Sequence, residues 1–249
     1  MDAWSALIWF LVSLTTLALF SRWLSGLVQG VGWLLFRDER AVFLLTYVVF
    51  LPGILIHELS HWAVAWLLGM RPRQFSLWPK LRGRRVEMGS VRVRSGGTLR
   101  DSLTGLAPLL VGSLIILLVS YRIFDAAPLQ QAWQRGGFGA AWDVFWAAFG
   151  VPNAWLWAYL VFAVSNAMFP SSSDRRPLLP LLLYVAITGL FFYLIGWLPR
   201  LVIPADMMAQ ASGALRTLTT AFAFTIALDI LIALPLLAMQ FLLVPLRSE

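Results

Sequence analysis

The chain has no cysteine, only two histidines, and few charges of either sign. The missing cysteine excludes disulfides and thiolate metal ligands. Charged residues are 12% of the 249 positions, against roughly 25% in an ordinary soluble domain. So little polar surface cannot coat a water-soluble globule. Polar stretches are also scarce. Only residues 71–100 qualify, and a segment that short buries too little to fold alone. A single membrane-embedded domain spanning residues 1–249 is therefore expected.

Hydrophobic residues make up 60% of the chain, and they fall in runs long enough to cross a hydrocarbon core of ~30 Å. Spans in lipid must be helical, because the backbone has no water to bond with. The pattern predicts an all-α polytopic membrane protein with about six transmembrane helices: Trp4–Phe20, Ala41–Gly69, Leu103–Tyr121, Ala154–Phe169, Leu178–Leu198 and Ala214–Leu246. The stretch Leu24–Phe36 is apolar but short, and reads as interfacial or re-entrant. The first run lacks a basic start and a small-residue cleavage site, so it reads as a retained helix.

The formal charge is +7, and nine of the nineteen Lys and Arg lie between Arg71 and Arg100. Basic residues gathered beside a span mark a cytoplasmic loop, so the lipid bilayer is the expected partner and nucleic acid is not. Counting spans from that loop puts both termini on the cytoplasmic side, in what reads as a prokaryotic cytoplasmic membrane. Within the loop, Val91–Arg94 alternates with period two and Arg84–Glu87 partly does, punctuated by Gly83, Gly89, Gly96 and Gly97. A small cytoplasmic β-hairpin is expected there, with Val91–Arg94 as an edge that pairs with substrate or as a basic contact for headgroups.

Both histidines stand in one motif, His57-Glu58-Leu59-Ser60-His61, within the second span. On a helix, residues four apart share a face, so both imidazoles can meet one ion. Glu58 lies about a quarter turn aside, where a general base reaches a metal-activated water without binding the metal. Polar groups this deep in an apolar run are costly unless paired, and default to function. A catalytic zinc needs a third protein ligand. With cysteine and further histidines absent, carboxylates remain. Asp2, Asp38, Glu39 and Glu249 lie near ends or surface turns, Glu87 and Asp101 in or beside the basic segment, and Asp125 and Asp206 in outer loops, leaving Asp143, Asp174 and Asp229. Asp174 follows a helix end and Pro170, where the chain can turn back into a cavity. Asp229 competes from mid-helix.

His-Glu-x-x-His in a membrane helix, followed two spans later by Asn166 and Asp174, resembles the site-2 protease family of intramembrane zinc metalloproteases. That family's second motif runs N-x-x-P-x-x-x-x-D-G. The spacing of Asn166 and Asp174 agrees, Pro170 comes one place late, and Arg175 replaces the glycine. The resemblance implies one Zn2+ held by His57, His61 and Asp174, with Glu58 as catalytic base. It also implies that Asn166 helps polarise the scissile carbonyl of a membrane-protein or peptide substrate. The alternative expectation is a catalytically inactive relative that binds zinc and acts as an adaptor or chaperone for membrane proteins.

Overall fold

The computed structural model describes residues 3–72, 74–76, 80–82, 85–87, 90–92, 95–197 and 204–243. Seven α-helices dominate it: α1 (Ala3–Phe36), α2 (Glu39–Leu67), α3 (Thr98–Arg122), α4 (Ala127–Ala147), α5 (Ala154–Ala167), α6 (Leu178–Leu194) and α7 (Ala205–Leu243).

Where six spans were expected, four helices among the described residues are long and apolar enough to cross a membrane: α1, α2, α3 and α7. A fifth crossing is available if the bent pair α4–α5 counts as one. The first helix does not stop at Phe20. It continues through Arg22 to Phe36, because a long Arg side chain can lie along a helix while its charged head seeks water. This absorbs the stretch expected to be re-entrant; Gly32 lets Val42 and Leu45 of α2 pack close. α6 is only 17 residues long and none of them is buried, so it lacks the length expected of Leu178–Leu198. α7 begins at Ala205, before the expected Ala214, and keeps Pro235 within the helix.

The expected small β-hairpin is a second correction. The fold is all-helical in character. Among the described residues of 71–100, extended pairing is confined to four three-residue stretches, β1 (Gln74–Ser76), β2 (Lys80–Arg82), β3 (Arg85–Glu87) and β4 (Ser90–Arg92). They form two separate two-stranded ladders, β1 with β4 and β2 with β3. Isolated pairings this short are marginal, which is why period-two alternation here does not amount to a sheet. Gly83, Arg84, Gly89, Val93 and Arg94 lie outside the described residues, as do Asp2 and 244–249.

The helices that position the site pack through small residues. Asp38 caps α2, its carboxylate accepting from Ala41 N at 2.8 Å. Pro52 does not break α2. It lacks the N–H that would bond the Val48 carbonyl, and the Tyr159 hydroxyl of α5 reaches that carbonyl at 3.4 Å and Val49 O at 3.0 Å. One turn on, Gly53 lies directly against Ala163 and Ala167, with no room for a Cβ. Thus α2 and α5 run side by side in one direction.

α1 and α7 also run parallel. Phe10 stacks on Phe222 with ring centroids 5.9 Å apart, and further along both helices Gln240 Nε2 donates to Leu27 O at 3.3 Å. A core of Leu17, Ile116, Val161, Phe222 and Leu228 joins this pair to α3 and α5.

Candidate metal centre

Three elements converge on one point: the C-terminal half of α2, the first turns of α3, and residues 168–177 after α5. Each brings a different part of the site.

From α2 come His57 and His61, with side chains 14% and 10% exposed. Their outer ring nitrogens are both engaged. His57 Nδ1 lies 2.7 Å from Ala167 O, and His61 Nδ1 lies 2.7 Å from Thr104 O. A carbonyl can only accept, so both Nδ1 atoms must donate. That fixes the tautomers and leaves a lone pair on each Nε2 of the neutral rings.

Both carbonyls are free for a reason written in the chain. Ala167 ends α5, where carbonyls lose their intrahelical partners. Thr104 stands four residues before Pro108, which has no N–H to offer it. A helix end and a proline therefore orient the two imidazoles.

The two Nε2 atoms are 3.2 Å apart. With both Nδ1 atoms donating, this contact is not a hydrogen bond between neutral rings. Two lone pairs face each other, an arrangement that calls for a cation between them. Asp174 supplies the counter-charge. Its Oδ2 is 3.6 Å from His57 Nε2 and its Oδ1 is 3.4 Å from His61 Nε2. Ligand atoms at the corners of a tetrahedron with metal distances of ~2.0–2.1 Å stand ~3.3–3.4 Å apart. The His57–His61 separation of 3.2 Å and the His61–Asp174 Oδ1 separation of 3.4 Å lie close to that value, and the 3.6 Å contact to His57 is made by the other carboxylate oxygen. His57, His61 and Asp174 thus form a group that can hold a metal ion, with one donor atom from each lying within 4.8 Å of the others.

Asp174 is held from two sides. Its carboxylate accepts from Ser171 N at 2.8 Å, closing a local turn. Its backbone carbonyl lies against Gly105 of α3, where a Cβ has no room. A few residues on, Ser102 Oγ donates to Pro177 O at 2.7 Å. The segment is therefore strapped onto α3 along one helix face.

Glu58 is 9% exposed and interacts electrostatically with His57, His61 and Asp174. Asn166 sits one residue before the carbonyl that holds His57. Its Nδ2 donates to Phe162 O at 2.8 Å, its backbone carbonyl accepts from Ser21 Oγ at 3.1 Å, and its buried Oδ1 has no hydrogen-bond partner among the described residues. Its carboxamide is thus turned into its own helix. Of the competing carboxylates, Asp229 is fully buried in α7 and outside the metal-capable group, and Asp143 is exposed on α4.

Sequence reasoning missed Thr104, Ala167, Gly105 and Ser102. Only one carried a local signal: Pro108 marks the Thr104 carbonyl as unclaimed by its own helix. The others follow from packing.

Comparison of the chain with protein-family models, curated proteins and solved structures gave no match. Fold and side chains alone define the class. This is a helical chain whose long apolar helices are compatible with a membrane protein, carrying a His–His–Asp group able to hold a metal ion.

Proposed function

We propose that the chain is an intramembrane zinc metalloprotease that hydrolyses peptide bonds of membrane-spanning substrates. One observation carries this reading: two imidazole lone pairs 3.2 Å apart, each with an oxygen of the Asp174 carboxylate 3.4–3.6 Å away, with Glu58 adjoining. Two imidazoles and one carboxylate suit zinc with an open fourth position. The same donors also serve non-haem iron, but an oxygenase needs no buried glutamate next to its ligands.

Zinc held by His57, His61 and Asp174 would supply Lewis acidity there, polarising a carbonyl and making water more acidic. Glu58 takes a proton from the attacking water and returns it to the leaving amine, so that one peptide bond and one water become a carboxylic acid and an amine. Nδ1 donation to Ala167 and Thr104 keeps both imidazoles oriented throughout. Asn166 can assist the carbonyl oxygen once its carboxamide turns away from Phe162.

Depth supports hydrolysis within the membrane. The 14 residues of α5 rise about 21 Å, leaving about 9 Å of a ~30 Å core to the strap that carries Asp174. Thr104 lies six residues, about 9 Å, into α3 by the same rise. Parallel packing of α1 and α7 supports five crossings, because in an alternating series they point the same way only if an odd number of spans separates them, and three are available. α2, α3 and α5 with its strap are those three. On that count α6 does not cross, and the start of α1 and the end of α7 lie on opposite faces, where the sequence reading has both termini on one.

A zinc-binding adaptor without protease activity is the second reading. Arg175, beside Asp174 where the resemblance has glycine, favours it. Metal analysis of the purified protein, with a cleavage assay on single-span substrates, separates the readings. Product formation with one zinc per chain supports the protease; full zinc with no product supports the adaptor; iron in place of zinc overturns both.

A further inference from the structure

We propose that α4 is an interfacial helix lying in the plane of the membrane, with an aromatic ladder set into the lipid headgroup region on the face away from the metal group. This does not depend on proteolysis.

The first support is position. α4 starts five residues after α3 ends at Arg122, and it finishes just before α5 begins. The metal group lies near the opposite end of α3, close to Thr104. The second is direction. The axis of α4 and its short 3-10 extension turns by 112° into α5. If α5 runs along the membrane normal, α4 is tilted only about 22° from the membrane plane. The turn is built by Val151-Pro152-Asn153, with Asn153 at φ 57°, a conformation Asn tolerates better than most residues. A second kink falls within α4 at Gly137, φ 63° and ψ −149°.

The third support is chemistry. Only Ala141 and Phe145 of α4 are buried. Phe138, Trp142 and Trp146 are 70%, 44% and 40% exposed, and they follow one another at helical spacing on one flank. Their rings touch in sequence: Phe138–Trp142 at 5.9 Å and Trp142–Trp146 at 5.6 Å between centroids. The ladder then enters the core through Phe145, whose ring lies 5.4 Å from that of Phe224 in α7. Asp143 is exposed and turned about 100° from Trp142, so an aromatic flank and a polar flank adjoin. Trp rings of this kind settle at the headgroup level, where one edge is wet and the body is not. α4 carries one Arg and one Asp, so its attachment is apolar, not electrostatic, and zwitterionic lipid suffices.

Because the chain has no cysteine, a single introduced one takes a spin label at a known place. Full-length Phe138→Cys, Trp142→Cys and Asp143→Cys proteins are labelled and reconstituted into phosphatidylcholine vesicles, with and without phosphatidylglycerol. Collision with oxygen, which partitions into lipid, is compared with collision with a water-soluble nickel complex. The expected result is a several-fold higher oxygen-to-nickel ratio at positions 138 and 142 than at 143, unchanged by the anionic lipid. Equal nickel access at all three positions would place α4 in water and overturn the proposal. Suppressed access to both reagents at 138 and 142 would mean a protein surface covers the ladder, and would overturn it too. If Trp142→Cys does not fold, the outermost residue, Phe138, carries the comparison against Asp143.

Discussion

Gly105→Ala is the substitution with the clearest expected sign. In an ordinary helix interior, replacing glycine by alanine stabilises by roughly 0.5–1 kcal/mol. At Gly105 the new methyl meets the backbone carbonyl of Asp174, and overpacking against backbone costs typically 1–3 kcal/mol. The metal-free protein can relieve that strain by letting the strap lift from α3. The metal-bound protein cannot, because Asp174 is then fixed to the ion. Strain present only in the bound state appears as lost affinity. A cost of about 1–3 kcal/mol corresponds to about 5- to 150-fold weaker metal binding. Competition with a chromophoric zinc chelator in detergent measures the ratio, with Gly26→Ala as control because its Cβ would meet nothing within 4 Å. Weakened binding in Gly105→Ala alone is expected. Equal affinity in both variants would refute the claim that α3 positions the third ligand.

Further substitutions test the remaining parts of the site. His57→Ala and Asp174→Ala should each reduce bound zinc from one per chain to a small fraction, whereas Asp229→Asn should leave it at one; atomic spectrometry of the purified proteins decides, and zinc loss only in Asp229→Asn would reverse the assignment of the third ligand. Glu58→Gln should retain zinc yet show no cleavage of a single-span substrate, and cleavage at the normal rate would remove Glu58 as the base. Tyr159→Phe deletes the hydroxyl that reaches Val49 O at 3.0 Å. It should lower stability by about 1 kcal/mol, seen as a reduced melting temperature, with zinc stoichiometry unchanged.

The site was more legible in the sequence than the fold around it. His57 and His61 declare themselves because helical periodicity fixes a relation four residues apart. Asp174 was within reach because Pro170 and the serines after it signal a chain that leaves its helix. Asp229 could not be set aside from sequence, since its distance from the histidines depends on how α7 packs. The spans were harder. Hydropathy does not reveal that Arg22 rides within a continuous α1, nor that no residue of the apolar α6 becomes fully buried, because both depend on what the neighbouring helices offer. The alternation in 71–100 misled because period two describes a possible sheet face, and only partner strands of sufficient length make one.

Proline links these observations at the level of mechanism. In a soluble helix a proline leaves a carbonyl that water can satisfy. In lipid that carbonyl must find a donor in the protein, so each intramembrane proline creates a demand that another helix has to meet. Pro52 of α2 leaves Val48 open, and Tyr159 of α5 answers it while fixing the register of the pair. Pro108 of α3 leaves Thr104 open, and His61 of α2 answers it. The second answer gives more than packing. By accepting at Nδ1, the Thr104 carbonyl forces the lone pair of His61 onto Nε2, the atom turned toward His57 and Asp174. A defect in one helix thereby sets the tautomer of a ligand on another. An aliphatic residue at position 108 would supply its own N–H to Thr104 and remove the demand that steers the imidazole.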